Sequence, residues 1–313
     1  MTAPELTDET AFGALSERHR RELQVHCYRM LGSLEDAEDL TQETFLRAWR
    51  SRETYAGRAS VRAWLYRIAT NACLDTLEKR PRTPTEDGEV PWLQPIPDDL
   101  LLAAADETDA EVVARETVEL AFLVALQFLP PRPRAVLILR DVLGWRARDT
   151  AELLETTEAS VNSALQRARA GLKEHLPARR SEWTADATAA DRALVAKYME
   201  ASEAGDVEAL KALFAEDLRF SMPPEPGMYV GRETIVAFWE EGGFGDPERL
   251  GEFRCFLTHA NGQPAVANYL RKPGADTFVA LALDVLTITG GEITEIVTFA
   301  DSTFASFGLA DTL

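Results

Sequence analysis

Cysteine is scarce. The 313-residue chain has three, Cys27, Cys73 and Cys255, too few and too widely spaced for a disulfide framework. Each sits in an apolar pattern, and no Cys or His stands at ligand spacing from another. The reading is buried free thiols in a reducing cytoplasm, with no metal site and no cofactor. Long apolar runs are missing too: none approaches the roughly 18 residues of a membrane span. The polar, acidic start MTAPELTDET lacks the basic and apolar regions of a signal peptide. A cytoplasmic protein with no membrane contact is expected.

Other absences divide the chain. Proline does not occur from Phe12 to Arg80, where apolar residues recur at helical spacing. Five prolines then fall within residues 81–99, PRTPTEDGEVPWLQPIPDD, which read as an extended linker. Residues 83–111 hold nine acids and no base. The net charge of −19 argues at first against a nucleic-acid partner. Yet residues 1–82 balance 13 acids with 13 bases, residues 112–180 carry 11 bases against 8 acids, and residues 181–313 hold 22 acids against 9 bases. The excess of acid therefore belongs to the linker and the C-terminal part.

Helices are expected over residues 111–129, ended by Leu129-Pro130-Pro131, and in two or three short pieces over 134–175. After Ala185 the pattern changes. Helices at Ala189–Ala204 and Val207–Phe214 lead into strands near 217–222, 252–259, 264–270, 276–289 and 292–299, with Gly290-Gly291 as a tight hairpin. Helices followed by a strand meander indicate an α+β domain.

In the first segment Ser33 is an N-cap, with Glu35 and Asp36 in the first turn where the helix dipole favours acids. Leu34, Ala37, Leu40, Thr44, Phe45 and Ala48 make a buried stripe. The opposite face carries Asp36, Asp39, Glu43, Arg47 and Arg50, which for an isolated helix would simply be solvated. The next helix, SVRAWLYRIATNACLDTLEKR, can pack Val61, Leu65, Ile68 and Ala72 inward. Arg62, Arg67 and Asn71, beside Trp64 and Tyr66, then offer cations, an amide and stacking surfaces, the chemistry that grips single-stranded DNA. An ordinary amphipathic helix would show the same pattern.

Together, HCYRMLGSLEDAEDLTQETFLRAWR and GRASVRAWLYRIATNACLDTL resemble region 2 of the extracytoplasmic-function (ECF) group of sigma-70 factors. The resemblance implies that the first helix docks on the β′ coiled coil of core RNA polymerase through Asp36, Asp39, Gln42 and Glu43. It implies that the second helix and the preceding loop capture −10 bases of promoter DNA through Arg58, Arg62, Trp64, Arg67, Asn71 and Asp75.

In LPPRPRAVLILRDVLGWRARDTAELLETTEASVNSALQRARAGLKEHL, Ala151 and Leu154 close one helix and Thr156-Thr157 supply a turn and N-cap. Val161, Leu165, Ala168 and Leu172 bury a second helix. This is a helix-turn-helix rhythm whose outer faces show Ser160, Asn162, Ser163, Gln166, Arg167, Arg169 and Lys173, groups able to read base edges or approach the backbone. The stretch resembles sigma region 4. That likeness implies −35 recognition by Ser160, Asn162, Ser163, Gln166, Arg167 and Arg169, and contact with the polymerase β flap. The acidic linker then suits the positive RNA path of polymerase, although composition alone equally describes a disordered tether.

Residues 189–313 resemble the SnoaL-like branch of the NTF2-like α+β cone. The motifs are AADRALVAKYMEASEAGDVEALKALFAEDLRFSMPP, YVGRETIVAFW and the strand meander. The resemblance implies an apolar pocket for a small ligand, with Tyr229, Trp239, His259, Tyr269 and Asp284 as candidate lining. On the long strand Phe278, Ala280, Ala282, Asp284, Leu286 and Ile288 are expected on one face. Asp284 there could carry a raised pKa, yet no second group at defined spacing supports catalysis, so no catalytic residues are assigned and no enzyme activity is expected. Sigma factors with this appendage use it as a fused regulator. The Pro-framed pair Trp92-Leu93 reads as an apolar plug for a neighbouring domain, and the C-terminal domain is expected to pack across regions 2 and 4.

The fold class expected is therefore multidomain, two all-α sigma domains plus an α+β NTF2-like cone. The boundaries are 1–82 for region 2, 83–110 for the linker, 111–180 for region 4 and 188–313 for the SnoaL-like domain. Two other functions fit parts of the pattern: a helix-turn-helix regulator with a ligand-sensing domain, and a SnoaL-like cyclase or isomerase fused to a DNA-binding module. The polymerase-docking and strand-opening helices favour the sigma factor.

Overall fold

A computed structural model describes residues 8–55, 57, 60–85, 89–102, 119–176 and 189–313. The chain forms two compact bodies: Met1–Pro84 with Asp99–Pro177, and Thr85–Asp98 with Ala178–Leu313. The Pro-rich segment therefore belongs mostly with the C-terminal domain.

In the first body, α1 (Glu9–Leu31), α2 (Leu34–Ser51) and α3 (Val61–Lys79) pack on one another. Gly32 ends α1 in the left-handed region, φ 71°, which a glycine adopts without strain. Ser33 caps α2 as expected, accepting from the Asp36 N–H at 3.2 Å, and Ser60 caps α3 in the same way. The buried stripe of α2 runs through Leu34, Ala37, Thr41, Thr44, Phe45 and Ala48. Thr41 takes the place foreseen for Leu40 because its hydroxyl is satisfied by the Ala37 carbonyl at 2.6 Å and so can be buried.

The helical part then continues with α4 (Leu120–Gln127), α5 (Pro131–Leu137), a π turn (Ile138–Val142), α6 (Ala147–Leu153) and α7 (Glu158–His175). Pro131 opens α5, where its missing N–H costs nothing. Thr157 caps α7, and Val161, Leu165 and Ala168 bury its inner face. The Arg134 guanidinium fastens α5 to the end of α1. It is buried and donates to the carbonyls of Met30, Gln127 and Leu129 and to Gln127 Oε1, and burial lowers its pKa to about 10.

The second body holds α8 (Ala189–Ala204), α9 (Val207–Lys211), α10 (Arg232–Gly242) and six strands: β1 (Phe214–Met222), β2 (Glu225–Val230), β3 (Glu252–Ala260), β4 (Gln263–Arg271), β5 (Val279–Thr289) and β6 (Glu292–Ala300). Their order is β2-β1-β6-β5-β4-β3, with β1 parallel to β6 and the other pairs antiparallel. Gly290 and Gly291, both at positive φ, make the expected hairpin turn. Strand β2 was not foreseen, because Glu225-Pro226-Gly227 reads as a loop, and α9 stops at Lys211 as β1 starts at Phe214. The core joins α8, α10 and one sheet face through Val195, Tyr198, Phe214, Phe220, Val236 and Leu286, among others.

The expected single face of β5 is broken. Asn268 pairs with Ala282 but Tyr269 pairs with Ala280, so a bulge falls at Leu281. Side chains beyond a one-residue bulge change face. Asp284 accordingly faces the core, while Phe278 lies under Arg254 and Arg271 on the opposite face.

Candidate nucleic-acid interface

On α2, Asp39 and Gln42 are exposed and Leu46 is 51% exposed beside them. Asp36 is half-buried and held by Arg82. Glu43 accepts from Arg47 at 2.8 Å, and the same guanidinium reaches Asp75 Oδ2 at 3.1 Å. Two candidate sets, one polymerase-facing and one DNA-facing, are thus joined through one arginine.

Helix α3 turns Arg62 and Arg67 to solvent, with Trp64 half-buried between them and Asn71 half-buried one turn further on. Trp64 leans on Tyr55 at 5.0 Å. Arg58 lies outside the described residues. Tyr66, grouped with the outer aromatics on sequence grounds, is buried: its hydroxyl donates to Glu22 and its ring meets His26 and Trp145. Glu22 also receives His19 and Arg62. Burial raises its pKa, but these hydrogen bonds outweigh it and hold the carboxyl below its usual range. His26, with Nε2 2.9 Å from the Thr70 hydroxyl, is kept neutral by burial, its pKa pushed down to about 3.

A groove of about 870 Å³ separates α3 from α6 and the turn before it. One wall holds Tyr55, Arg62, Trp64, Arg67 and Asn71; the other holds Trp145, Arg146, Asp149 and Glu152. Arg67 is ion-paired with Glu155 just after α6. Sequence reasoning missed Trp145, Glu155 and Glu22, since nothing in a linear pattern connects residues so far apart.

On α7, Asn162, Ser163, Gln166 and Arg167 are exposed on the outer face. Ser160 is occupied by the cap, its N–H donating to the Thr157 hydroxyl at 3.1 Å. Arg169 makes a two-pronged bridge to Asp141 at 2.8 and 2.7 Å.

In the second body the Pro-rich segment is seated on the sheet. The Ile96 N–H donates to Asn261 Oδ1, the Asn261 N–H donates to the Ile96 carbonyl, and the Gly262 N–H donates to Asp98. The Gly227 N–H reaches both carboxylate oxygens of Glu89 at 3.0 Å. Val90, Leu93 and Ile96 are buried, and Trp92 is half-buried.

The five candidate pocket residues do not converge. Tyr229 stacks on Phe238 at 4.5 Å, and Trp239, half-buried, packs on the core residues Phe214 and Phe220. His259 is exposed. Tyr269 is on the other face, against Phe304 and bonded to the Ala310 carbonyl, because it follows Asn268, which points at Asp284, and successive residues of β4 alternate in face. Asp284 is buried and accepts from Tyr198, Asn268 and Thr298 at 2.9, 2.6 and 2.6 Å. Burial raises its pKa, and these three donors oppose the rise.

Among the described residues no helix is long and apolar enough to cross a membrane, and no group of His, Cys, Asp and Glu could hold a metal. The chain matches three family models: sigma-70 region 2 over residues 15–83, sigma-70 region 4 over 119–172, and the SnoaL-like domain over 195–296. The crystal structure of the Mycobacterium tuberculosis extracytoplasmic function sigma factor SigJ shares the fold, with TM-score 0.62 and 24% identity over 94% of this chain and 98% of that one. By sequence, ECF RNA polymerase sigma factor SigJ of M. tuberculosis is 33% identical over 66% of this chain and 62% of its own length. ECF RNA polymerase sigma factor SigG of the same species is 42% identical over 96% of this chain and 85% of its own length. With that identity along nearly its whole length, this chain belongs to the ECF RNA polymerase sigma factors.

Proposed function

We propose that this protein binds core RNA polymerase and directs it to promoters with particular −10 and −35 elements, and that its C-terminal domain is a fused regulator. Helix α2 would dock on the β′ coiled coil through Asp39, Gln42 and Leu46, with Asp36 and Glu43 supplying charge. Helix α3 would take the −10 strand with Arg62, Arg67, Trp64 and Asn71. Helix α7 would enter the −35 major groove with Asn162, Ser163, Gln166 and Arg167. The work is done in the cytoplasm.

The observation carrying the regulatory half is the seat of residues 89–98 on the C-terminal domain. Those residues lie in the segment joining region 2 to region 4. Holding them with hydrogen bonds through Ile96 and Glu89 and with buried Val90, Leu93 and Ile96 shortens the free tether, and promoter elements have a fixed spacing. Asp284 serves this domain as a buried structural acid rather than an acid-base catalyst, since its oxygens already face three donors.

Run-off transcription with purified core polymerase tests the main reading: adding this protein should start transcripts at a defined promoter set. Absence of initiation on every genomic template would remove it. Replacing Asn261 by Ala, which releases the seat of the linker, should change core affinity or initiation. If both stay as in the wild type, the regulatory half is wrong.

A further inference from the structure

The groove between α3 and α6 has an electrostatic pattern that the helix-turn-helix itself does not require. Arg62 and Arg67 project from α3. Facing them, α6 and the turn that follows it present Asp149, Glu152 and Glu155, all exposed, with Glu155 paired to Arg67. Trp145 rests on the Tyr66 ring at 5.4 Å and provides an apolar contact under this charged edge. Its own loop is secured by its N–H to the Leu139 carbonyl and by Arg140 to its carbonyl.

A DNA strand brings phosphates to cations of this kind. We propose that in the free protein the acidic edge of region 4, Asp149, Glu152 and Glu155, stands in for promoter-strand phosphates on α3, so that −10 binding requires region 4 to leave the groove. The inference rests on the assignment of α3 as the −10 face. The device is intramolecular competition. A strand phosphate that takes the Nη2 edge of Arg67 must displace Glu155, and the neighbouring carboxylates repel the strand as it approaches. One exposed pair contributes little, so the effect comes from Glu155 on Arg67 together with two further anions, Asp149 and Glu152, on the groove wall. Arg146, on the same wall, partly offsets them, which keeps the lock weak enough to open. The −35 face on α7 stays exposed in this state. A free molecule can therefore present its duplex-reading helix while its strand-binding helix is screened.

The test uses the full chain and a fluorescein-labelled twelve-nucleotide oligothymidylate, followed by anisotropy across a salt series. The triple variant D149N/E152Q/E155Q should bind about three- to tenfold more tightly than wild type, with a slope of log K on log salt steeper by about one. The single variant Glu155→Arg should gain in the same direction. Adding Arg67→Ala to the triple variant should abolish the gain, which separates release of Arg67 from a general change in net charge. Energy transfer between dyes placed by Gln42→Cys and Lys173→Cys should report a longer distance in the triple variant. A triple variant that binds no better, or whose gain survives Arg67→Ala, overturns the lock. Should Arg67→Ala also leave initiation by the holoenzyme untouched, the assignment of α3 falls with it. Impaired initiation with no gain in the triple variant overturns the lock alone.

Discussion

Ile96 and Asn261, 165 residues apart, exchange two hydrogen bonds of 3.0 Å: the Ile96 N–H to Asn261 Oδ1 and the Asn261 N–H to the Ile96 carbonyl. Both residues are fully buried. Asn261 sits at φ 60° in the β3–β4 turn, a conformation that Asn tolerates better than most residues. One side chain therefore serves the turn and the linker at once.

Asn261→Ala should lose the linker bond, leave the buried Ile96 N–H without its acceptor and strain the turn. The expected cost is about 2–4 kcal/mol. Asn261→Gly keeps the backbone conformation and should recover about 1 kcal/mol of it. Urea denaturation gives the stabilities, and amide exchange at Ile96 should accelerate in both variants. Slow exchange at Ile96 in Asn261→Ala would show that the side chain does not hold the linker.

His26 predicts an acid weakness in the first body. Its pKa is pushed down to about 3 by burial, while an unfolded His titrates near 6.5. The unfolded chain thus binds a proton that the folded chain refuses. Stability is complete above about pH 6.5 and falls as the pH drops toward 3, by roughly 1.4 kcal/mol per unit. Calorimetry between pH 7 and pH 5 should show a loss of about 2 kcal/mol from this site. His26→Gln, which can still bond Thr70, should flatten that part of the profile. An unchanged slope in the variant would remove His26 as the cause.

Arg134 should be irreplaceable by lysine. Its planar fork serves four acceptors on three residues of the chain, and an ammonium has three donors on a single atom. Arg134→Ala leaves those carbonyls unsatisfied and opens a cavity, for a loss of about 3–5 kcal/mol. Arg134→Lys should fall between Ala and wild type. The thermal midpoint of the first body reads the order of the three, and equal midpoints for Lys and wild type would contradict it.

Much of this was legible in sequence where the signal is local. Ser33 and Thr157 cap helices because the cap chemistry lies within three residues, and Gly290-Gly291 turns a hairpin for the same reason. The faces of α2 and α7 follow largely from period, although Thr41 replaces Leu40 in the buried stripe of α2 and Leu172 on α7 is only half-buried. What escaped was set by tertiary partners. Tyr66 has an outward-looking place in the pattern, but Glu22 on α1 satisfies its hydroxyl and allows burial. A one-residue bulge at Leu281 turned Phe278 and Ala280 away from Asp284, and no composition rule marks that position. The pocket residues were chosen by type, yet Tyr198, Asn268 and Thr298, which do meet Asp284, are ordinary residues until the sheet brings them together.

On α7 the two neighbouring arginines should behave differently. Arg167 is exposed on the outer face, whereas Arg169 is tied to Asp141 by both its Nε and Nη2 groups, a bridge that raises the affinity of its guanidinium for the proton. A cation that must leave a carboxylate to meet a phosphate gains less from the exchange than one leaving water. Arg167→Ala should therefore weaken duplex binding more than Arg169→Ala does. Asp141→Asn should release Arg169 and steepen the salt dependence of duplex binding by up to about 0.9 in log–log slope. Anisotropy with a labelled duplex across a salt series measures all three. If Asp141→Asn leaves the slope unchanged while Arg169→Ala lowers it, Arg169 already reaches the phosphates from within its bridge, and Asp141 orients it instead of withholding it.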